Sequence, residues 1–393
     1  MAEWLAAQGH DVRVGAAPPY YPAWRVADAY RGRLYSREQR QGVAVWRAPL
    51  WVPQRAGGLA RVLHLLSFAV TSAPLLLWWG LRWRPQVVMT VAPFFTAAPA
   101  ALLAAKLAGA RSWLHVQDFE IDVAFGMGLL KGGALKRAVS AVERFVFGRF
   151  DRVSSISQRM LERAASKGVP AERLVFFRNW VDVQAVQPMS TPSPYRAELG
   201  LAGDAVVVLF SGTLGSKQGL QIIPEVARLL ADDPRIQFVV CGDGPMKPEL
   251  LRQSQGLANV HFLPLQPVQR LGELLNLADI HLLPQDPAAE DLVLPSKLSG
   301  MLSSGRPVVA TCAANTEMAK VVQGRGLVVA PGDSGAVAQA VAQLAQQPDG
   351  RVAMGQAARQ FAVQGLGRDH VLQQCVEELS ALVQDTARPA RAA

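Results

Sequence analysis

Cysteine is nearly absent. Cys241, Cys312 and Cys375 are the only three in 393 residues, odd in number and far apart. That excludes a disulfide framework and a cysteine-built zinc site, and suits a reducing compartment. Charge is sparse too: 18% of residues are charged and 50% are hydrophobic, the proportions of a globular chain rather than a disordered one. The scarcity is greatest for acid in the first half. Residues 1–181 hold 24 Lys+Arg and 11 Asp+Glu, a local +13 within a net +9. Such a surface suits anionic lipid or a phosphorylated acceptor. Nucleic acid is not expected, because the arginines are scattered and no binding motif accompanies them. No secretory signal is expected, since Met1–Val14 reads as an amphipathic helix followed by a strand. One stretch, Val62–Leu81, is apolar enough to raise the question of a membrane span. A single crossing would put Val12–Val14 and Val87–Thr90 on opposite sides, yet both read as strands of one sheet. The expectation is therefore a helix or broken helix, partly buried and partly lying against lipid.

What is present is an alternation. Short β-branched runs recur through the chain, separated by apolar-periodic helical segments. The length suits two domains, and the alternation predicts an α/β chain of two doubly wound, Rossmann-like parallel-sheet domains facing a cleft. The first spans 1–186 and would bind the acceptor. A Pro/Ser-rich segment, 187–200, reads as the linker. The second spans 201–368, and 369–393 reads as a helix returning toward the first domain with a disordered tail.

Three turns in the second half are candidates for chemistry. The run Val206–Phe210 reads as a buried strand, followed by Ser211-Gly212-Thr213-Leu214-Gly215-Ser216, then Lys217 and Gly219 at a helix start. Strand, glycine-rich turn and helix aim backbone N–H groups at an anion, and Lys217 adds a point charge; an ordinary β–α turn is the competing reading. Gly242-Asp-Gly244 has two glycines at dinucleotide spacing, but Lys247 stands where the third would fall. It reads equally as a tight turn that brings backbone close to a ligand or to a neighbouring loop. Glu290-Asp291, followed by Leu294-Pro295-Ser296-Lys297, places a second anion-ready turn beside acidic groups that suit sugar hydroxyls. Two such turns on one sheet describe a nucleotide-sugar site. In the first half, the aromatic loop with Tyr20 and Tyr21 and the post-strand pair Gln117-Asp118 stand where open parallel sheets bind ligands.

Taken together, these pieces resemble a GT-B glycosyltransferase of family 4 over nearly the full length. The matching residues are Gly9-His10 after the first helix, Ser155-Ile-Ser157, Gly168-Val-Pro170, Phe177-Arg-Asn179 with Asp182, Ser211-Gly212 with Lys217 and Gly219, Gly242-Asp-Gly-Pro245, and Pro295-Ser-Lys297 with Gly305-Arg-Pro-Val-Val309. Ala17-Pro-Pro-Tyr-Tyr-Pro22 with Gln117-Asp118 narrows the likeness to the exopolysaccharide branch that includes colanic acid biosynthesis fucosyltransferases. The resemblance implies retaining transfer from a nucleotide diphosphate sugar to a lipid-diphosphate-linked oligosaccharide, without an obligatory metal or cofactor, peripherally at the cytoplasmic membrane face. It implies donor contacts at Gly212, Thr213, Gly215, Ser216, Lys217, Gly242, Gly244, Glu290, Asp291, Pro295, Ser296 and Lys297, with backbone near Leu265 reading the base. It also implies front-face attack, in which a leaving phosphate oxygen helps remove the acceptor proton. Lys217 stabilises the departing diphosphate, Asp118 orients the acceptor hydroxyl, and Tyr20, Tyr21 and Gln117 complete the acceptor side.

The chain departs from the family pattern at several positions. The usual glutamate pair falls at Leu292 and Gly300, the arginine before the phosphate lysine is Thr213, and the His-Asp pair is Gln117-Asp118. His115, two residues earlier on the same strand face, reads as a packed histidine. A nucleotide-sugar 2-epimerase of the same fold, or a non-catalytic sugar-nucleotide-binding subunit of a polysaccharide complex, are the alternatives. Family members also carry a strand and a Gly-containing loop before the residues matching Gly9-His10. A further βα unit of roughly 20–25 residues is therefore expected upstream of Met1.

Overall fold

A computed structural model describes residues 1–20, 24–54, 58–93, 95–119, 121, 133–215, 218–286 and 295–384. The chain divides into two compact units, one of residues 1–177 with 372–393, the other of residues 178–371.

The first unit holds two sheets. One has order β1-β3-β2, built from β1 (Arg13–Ala16), β2 (Ser36–Arg40) and β3 (Val43–Arg47). The other is all-parallel, with order β4-β5-β6-β7, from β4 (Val87–Ala92), β5 (Arg111–Val116), β6 (Arg152–Ser155) and β7 (Leu174–Phe176). Val12–Val14 and Val87–Thr90 were expected in one sheet; the structure puts them in two. No strand pairing joins these sheets among the described residues; the helix Gly58–Arg82 links them. Its Trp79 and Leu75 lie against Gly15 of β1, and its Gly80 lies against Ala104 of the next helix, Ala98–Ala108. The helix is continuous. Pro74 sits inside it on the exposed side, so the Val70 carbonyl that loses its partner faces outward. Strand β2 went unpredicted because its sequence, Ser-Arg-Glu-Gln-Arg, has no apolar face. It pairs antiparallel with β3 across Gln41-Gly42, both at positive φ (42° and 83°), a primed hairpin turn. Ser157 caps the helix Gln158–Ser166 by accepting from the Met160 N–H at 3.2 Å, and Gly168 (φ 90°) follows its end.

The second unit is a six-stranded parallel sheet of order β10-β9-β8-β11-β12-β13. Its strands are β8 (Val206–Ser211), β9 (Ile236–Cys241), β10 (Val260–Leu263), β11 (Ile280–Leu283), β12 (Val308–Thr311) and β13 (Gly326–Val329). Every residue of β8 is buried, as a central strand covered on both faces requires. The segment 187–200, expected to be a linker, is instead packed on this unit. Asn276 accepts from the Met189 N–H (2.9 Å) and donates to the Gln187 carbonyl (2.9 Å), Ser193 donates to the Glu273 carbonyl (2.7 Å), and Tyr195 is buried among Leu209, Val239 and Leu277. The boundary between the units falls nine residues earlier than 187, between Phe177 and Arg178. The three cysteines are free and buried.

Buried histidines make the fold acid-sensitive. His281 is fully enclosed, with Nε2 2.9 Å from Ser304 Oγ, and burial lowers its pKa to about 3. His115 is lowered to about 4 for the same reason. Both values lie below the ordinary histidine range, so between these values and about 6.5 the unfolded chain binds more protons than the folded one, and stability rises with pH. The histidine contribution to stability should therefore be fully present above about pH 7, and melting temperature should fall as pH drops from about 6.5 toward 4. Each histidine contributes a slope of about 1.4 kcal/mol per pH unit. His281→Gln should flatten part of that slope; an unaltered slope would remove His281 as its source.

Candidate functional site

The order of the second sheet creates a crevice. From β8 the chain steps outward through β9 and β10, then returns to the other side of β8 for β11, β12 and β13. The loops after β8 and β11 therefore diverge, and open α/β sheets bind ligands at such a switch point beyond the strand C-termini. The sequence-predicted turns that the structure describes meet at this edge.

The turn after β8 is held by the turn after β9. Gly212 N–H donates to the Cys241 carbonyl (2.9 Å), Leu214 N–H donates to the Asp243 carbonyl (2.8 Å), and Met246 N–H donates to the Leu214 carbonyl (3.0 Å). These bonds leave no room for side chains. A Cβ on Gly242 would lie 1.9 Å from the Gly212 carbonyl oxygen, and one on Gly244 2.5 Å from that of Leu214. Gly242 and Gly244 thus face the neighbouring loop, the second of the two roles their spacing left open. On the β11 side, a Cβ on Gly219 (φ 58°) would lie 2.9 Å from the Gln285 carbonyl. Gln285 is itself fixed by Thr311 of β12, which accepts from its N–H (2.8 Å) and donates to its carbonyl (3.2 Å). Gly215 differs from Gly212, Gly219, Gly242 and Gly244: a Cβ there would meet no atom of the described residues within 4 Å.

Lys297 stands at the centre of this arrangement. It opens the helix Lys297–Ser303, and its side chain runs along Gly212, with Nζ 3.8 Å from where a Gly212 Cβ would be. The ammonium lies 4.1 Å from the centroid of the buried Phe210 ring and donates to Gln218 Oε1 at 2.7 Å. Burial lowers its pKa to about 7. An ammonium held between an aromatic face and a neutral amide is suited to an incoming anion. The helix is only seven residues long, so the charge on Lys297, rather than a helix dipole, carries the electrostatics expected of Ser296 and Lys297. Pro295 and Ser296 lead into it, half-buried and exposed respectively. Leu265 is 55% exposed on the loop after β10, at the same sheet edge. Gly300, where the family pattern has an acid, faces Leu275, whose Cδ1 would be 3.1 Å from an added Cβ. Ser216, Lys217, Glu290 and Asp291 lie outside the described residues. Sequence reasoning missed Phe210 and Gln218. Phe210 reads as an ordinary core residue of a buried strand, and nothing in the sequence signals that Lys297, 79 positions after Gln218, comes to lie beside both.

In the first unit, Gln117 and Asp118 follow β5, both half-buried. Gln117 Nε2 is 2.7 Å from His115 Nε2, and His115 Nδ1 is 2.8 Å from Ser154 Oγ, which also accepts from Trp113 Nε1 at 2.7 Å. The ring of His115 packs on Phe177 at 4.9 Å. His115 is buried and neutral, the packed histidine of the sequence reading, and it fixes the Gln117 amide by accepting from it. Tyr20 packs with Trp24 (5.6 Å) and His64 (5.0 Å). Tyr21 lies outside the described residues. Among the described residues no group of three or more His, Cys, Asp or Glu side chains is placed to hold a metal ion.

Comparison with known proteins gives the family and the fold. Residues 1–180 match a glycosyl transferase 4-like domain and residues 205–347 match the glycosyl transferases group 1. A putative colanic acid biosynthesis glycosyl transferase, WcaI of Escherichia coli (strain K12), is 40% identical over 390 residues, covering 96% of this chain and 94% of that protein. Among solved structures, a sucrose-phosphate synthase from Thermosynechococcus elongatus superposes with TM-score 0.74 at 15% identity, over 98% of this chain and 92% of that one. The Anabaena protein Alr3699/HepE in complex with UDP-glucose superposes with TM-score 0.68 at 19% identity, over 95% and 100%. The fold is GT-B, with two Rossmann-like sheets.

Proposed function

The chain belongs to the glycosyl transferases with a 4-like first domain and a group 1 second domain and is a glycosyltransferase, and on that premise we propose that it moves a sugar from a nucleotide diphosphate sugar to a lipid-linked oligosaccharide in the synthesis of a colanic-acid-like exopolysaccharide. The observation that carries the donor half is Lys297, half-buried, its ammonium facing Gly212 at the switch point of the second sheet. The diphosphate lies across the turn Gly212–Gly215 against that ammonium. The space beside Gly215 is what a ligand approaching the backbone needs. As the glycosidic bond to the phosphate breaks, charge grows on the leaving diphosphate, and Lys297 with the turn amides stabilises it. Lys217 adds to this, and Glu290 and Asp291 take the sugar hydroxyls. Transfer retains configuration: the acceptor oxygen attacks from the leaving-group face, and a phosphate oxygen removes its proton. Gln117, oriented by His115, and Asp118 hold the acceptor hydroxyl, with Tyr20 and Tyr21 stacking its sugar. The relative involved in colanic acid synthesis and the basic first half support a lipid-diphosphate acceptor met at the inner face of the plasma membrane. Gly300, packed on Leu275 where an acid is usual, favours one second reading, a subunit that binds the sugar nucleotide without transferring it.

Two measurements separate these. A thermal-shift panel of UDP, GDP, dTDP and ADP sugars should single out one base, since a ligand at 100 times its Kd adds about 2.7 kcal/mol to the folded state. Radiolabelled sugar from that donor should then appear in a membrane lipid extract. Stabilisation without transfer would favour the binding subunit, epimerised free donor the 2-epimerase, and no stabilisation by any donor would overturn the site.

A further inference from the structure

The helix Gly58–Arg82 is long and apolar enough to cross a membrane by length and composition, yet one of its faces is committed to the protein. His64, Phe68, Leu75 and Trp79 are buried. A Cβ on Gly80 would lie 2.6 Å from the Ala104 carbonyl oxygen, so the helix touches its neighbour backbone to backbone there. The opposite face carries Leu63, Leu66, Val70, Pro74, Trp78 and Leu81. All six are exposed, and Val70 reaches 70%. Their spacing of three and four residues keeps them on one line, about 27 Å long at 1.5 Å per residue. A ridge of this length and spacing suits burial in the headgroup–acyl boundary along its whole length.

Charge identifies the occupant. From Gln39 to Gln117 the sequence holds no Asp or Glu and eight Lys or Arg. Arg61 and Arg82 are exposed at the two ends of the ridge, and Lys106 is exposed on the adjacent helix. Aromatic side chains flank the ridge as they do at membrane interfaces. Tyr35, whose hydroxyl donates to the Thr71 carbonyl at 2.7 Å, is half exposed, and so is Trp51, whose N–H donates to Ser67 Oγ at 3.0 Å.

We propose that this helix lies in the plane of an anionic bilayer, its Leu63–Leu81 ridge among the acyl chains and its flanking arginines on the headgroup phosphates. The inference extends the reading of a lipid-linked acceptor, but the vesicles that test it contain no acceptor. Sugar transfer failing in wild type and variant alike would therefore count against the proposed function and leave membrane docking standing.

The test uses the full chain with vesicles of phosphatidylcholine alone or mixed with phosphatidylglycerol. Wild type should float with the anionic vesicles, be partly released by high salt, and be fully released by alkaline carbonate. Leu66→Asp/Val70→Asp should reduce the floated fraction at least about tenfold with an unchanged melting temperature, because both positions are exposed. Quenching of tryptophan fluorescence by brominated lipid should fall in Trp78→Phe. Undiminished flotation of the double variant overturns the proposal. So does resistance to carbonate, which would mean a span, or a solution dimer that the double variant dissociates while vesicle binding is absent.

Discussion

Lys297→Ala should weaken nucleotide-sugar binding and kcat/KM by about ten- to a hundredfold, the value of one charge-assisted hydrogen bond to a diphosphate. The loss should depend on pH. Burial lowers the free lysine to about 7, whereas a bound dianion restores the charged form. Donor binding therefore takes up a proton above neutrality, and wild-type affinity should fall by up to tenfold per pH unit as pH rises past about 7. Below that range the lysine is already charged and affinity should level off. In Lys297→Ala the rise in Kd with pH should vanish. Titration calorimetry from pH 6 to 8.5, in buffers of different ionisation enthalpy, measures both the affinity and the proton uptake. Equal affinities for wild type and variant at pH 6.5 would take Lys297 out of the site.

Gly242→Ala should cost both stability and donor binding. The added methyl would lie 1.9 Å from the Gly212 carbonyl oxygen and 3.5 Å from Leu214 Cγ. Relief requires the turn after β9 to move and the Gly212–Cys241 hydrogen bond to open, along with the stitching around Leu214. A clash against backbone in a packed site costs about 1–3 kcal/mol. A unit of this size then loses about 2–4 °C per kcal/mol. Donor affinity should fall with it, because the displaced turn is the one Lys297 faces. Gly215→Ala is the contrasting variant. Its methyl would meet no atom of the described residues within 4 Å, so melting should not change, whereas donor binding should weaken if the diphosphate approaches that backbone. Unchanged melting in Gly242→Ala, or unchanged donor binding in Gly215→Ala, would show that this turn is not built as described.

The sequence by itself determined the features that rest on local chemistry. The strand at Val206–Phe210 was legible because a buried parallel strand is a short apolar run bounded by glycine or polar turns. The Ser157 cap and the Gly168 stop are set by adjacent residues alone. Lys297 was legible as a candidate because Pro-Ser-Lys follows a loop and opens a helix. Strand β2 was not legible: it is a polar edge strand whose only local signal is the Gln41-Gly42 turn.

Tertiary structure decided what no window of sequence contains. It split Val12–Val14 and Val87–Thr90 between two sheets, because side-chain packing through Trp79 and Gly80, not strand pairing, joins those layers. It packed 187–200 on the second unit through Asn276, roughly 80 residues away along the chain. It turned Gly242 and Gly244 toward the loop after β8, since a glycine's spacing does not say which neighbour its missing Cβ would have met. It also surrounded the Lys297 ammonium with Phe210 and Gln218, and burial among them, not the identity of the residue, lowers its pKa. Sequence names the residues able to hold a charge; only the fold sets how far water is kept from it.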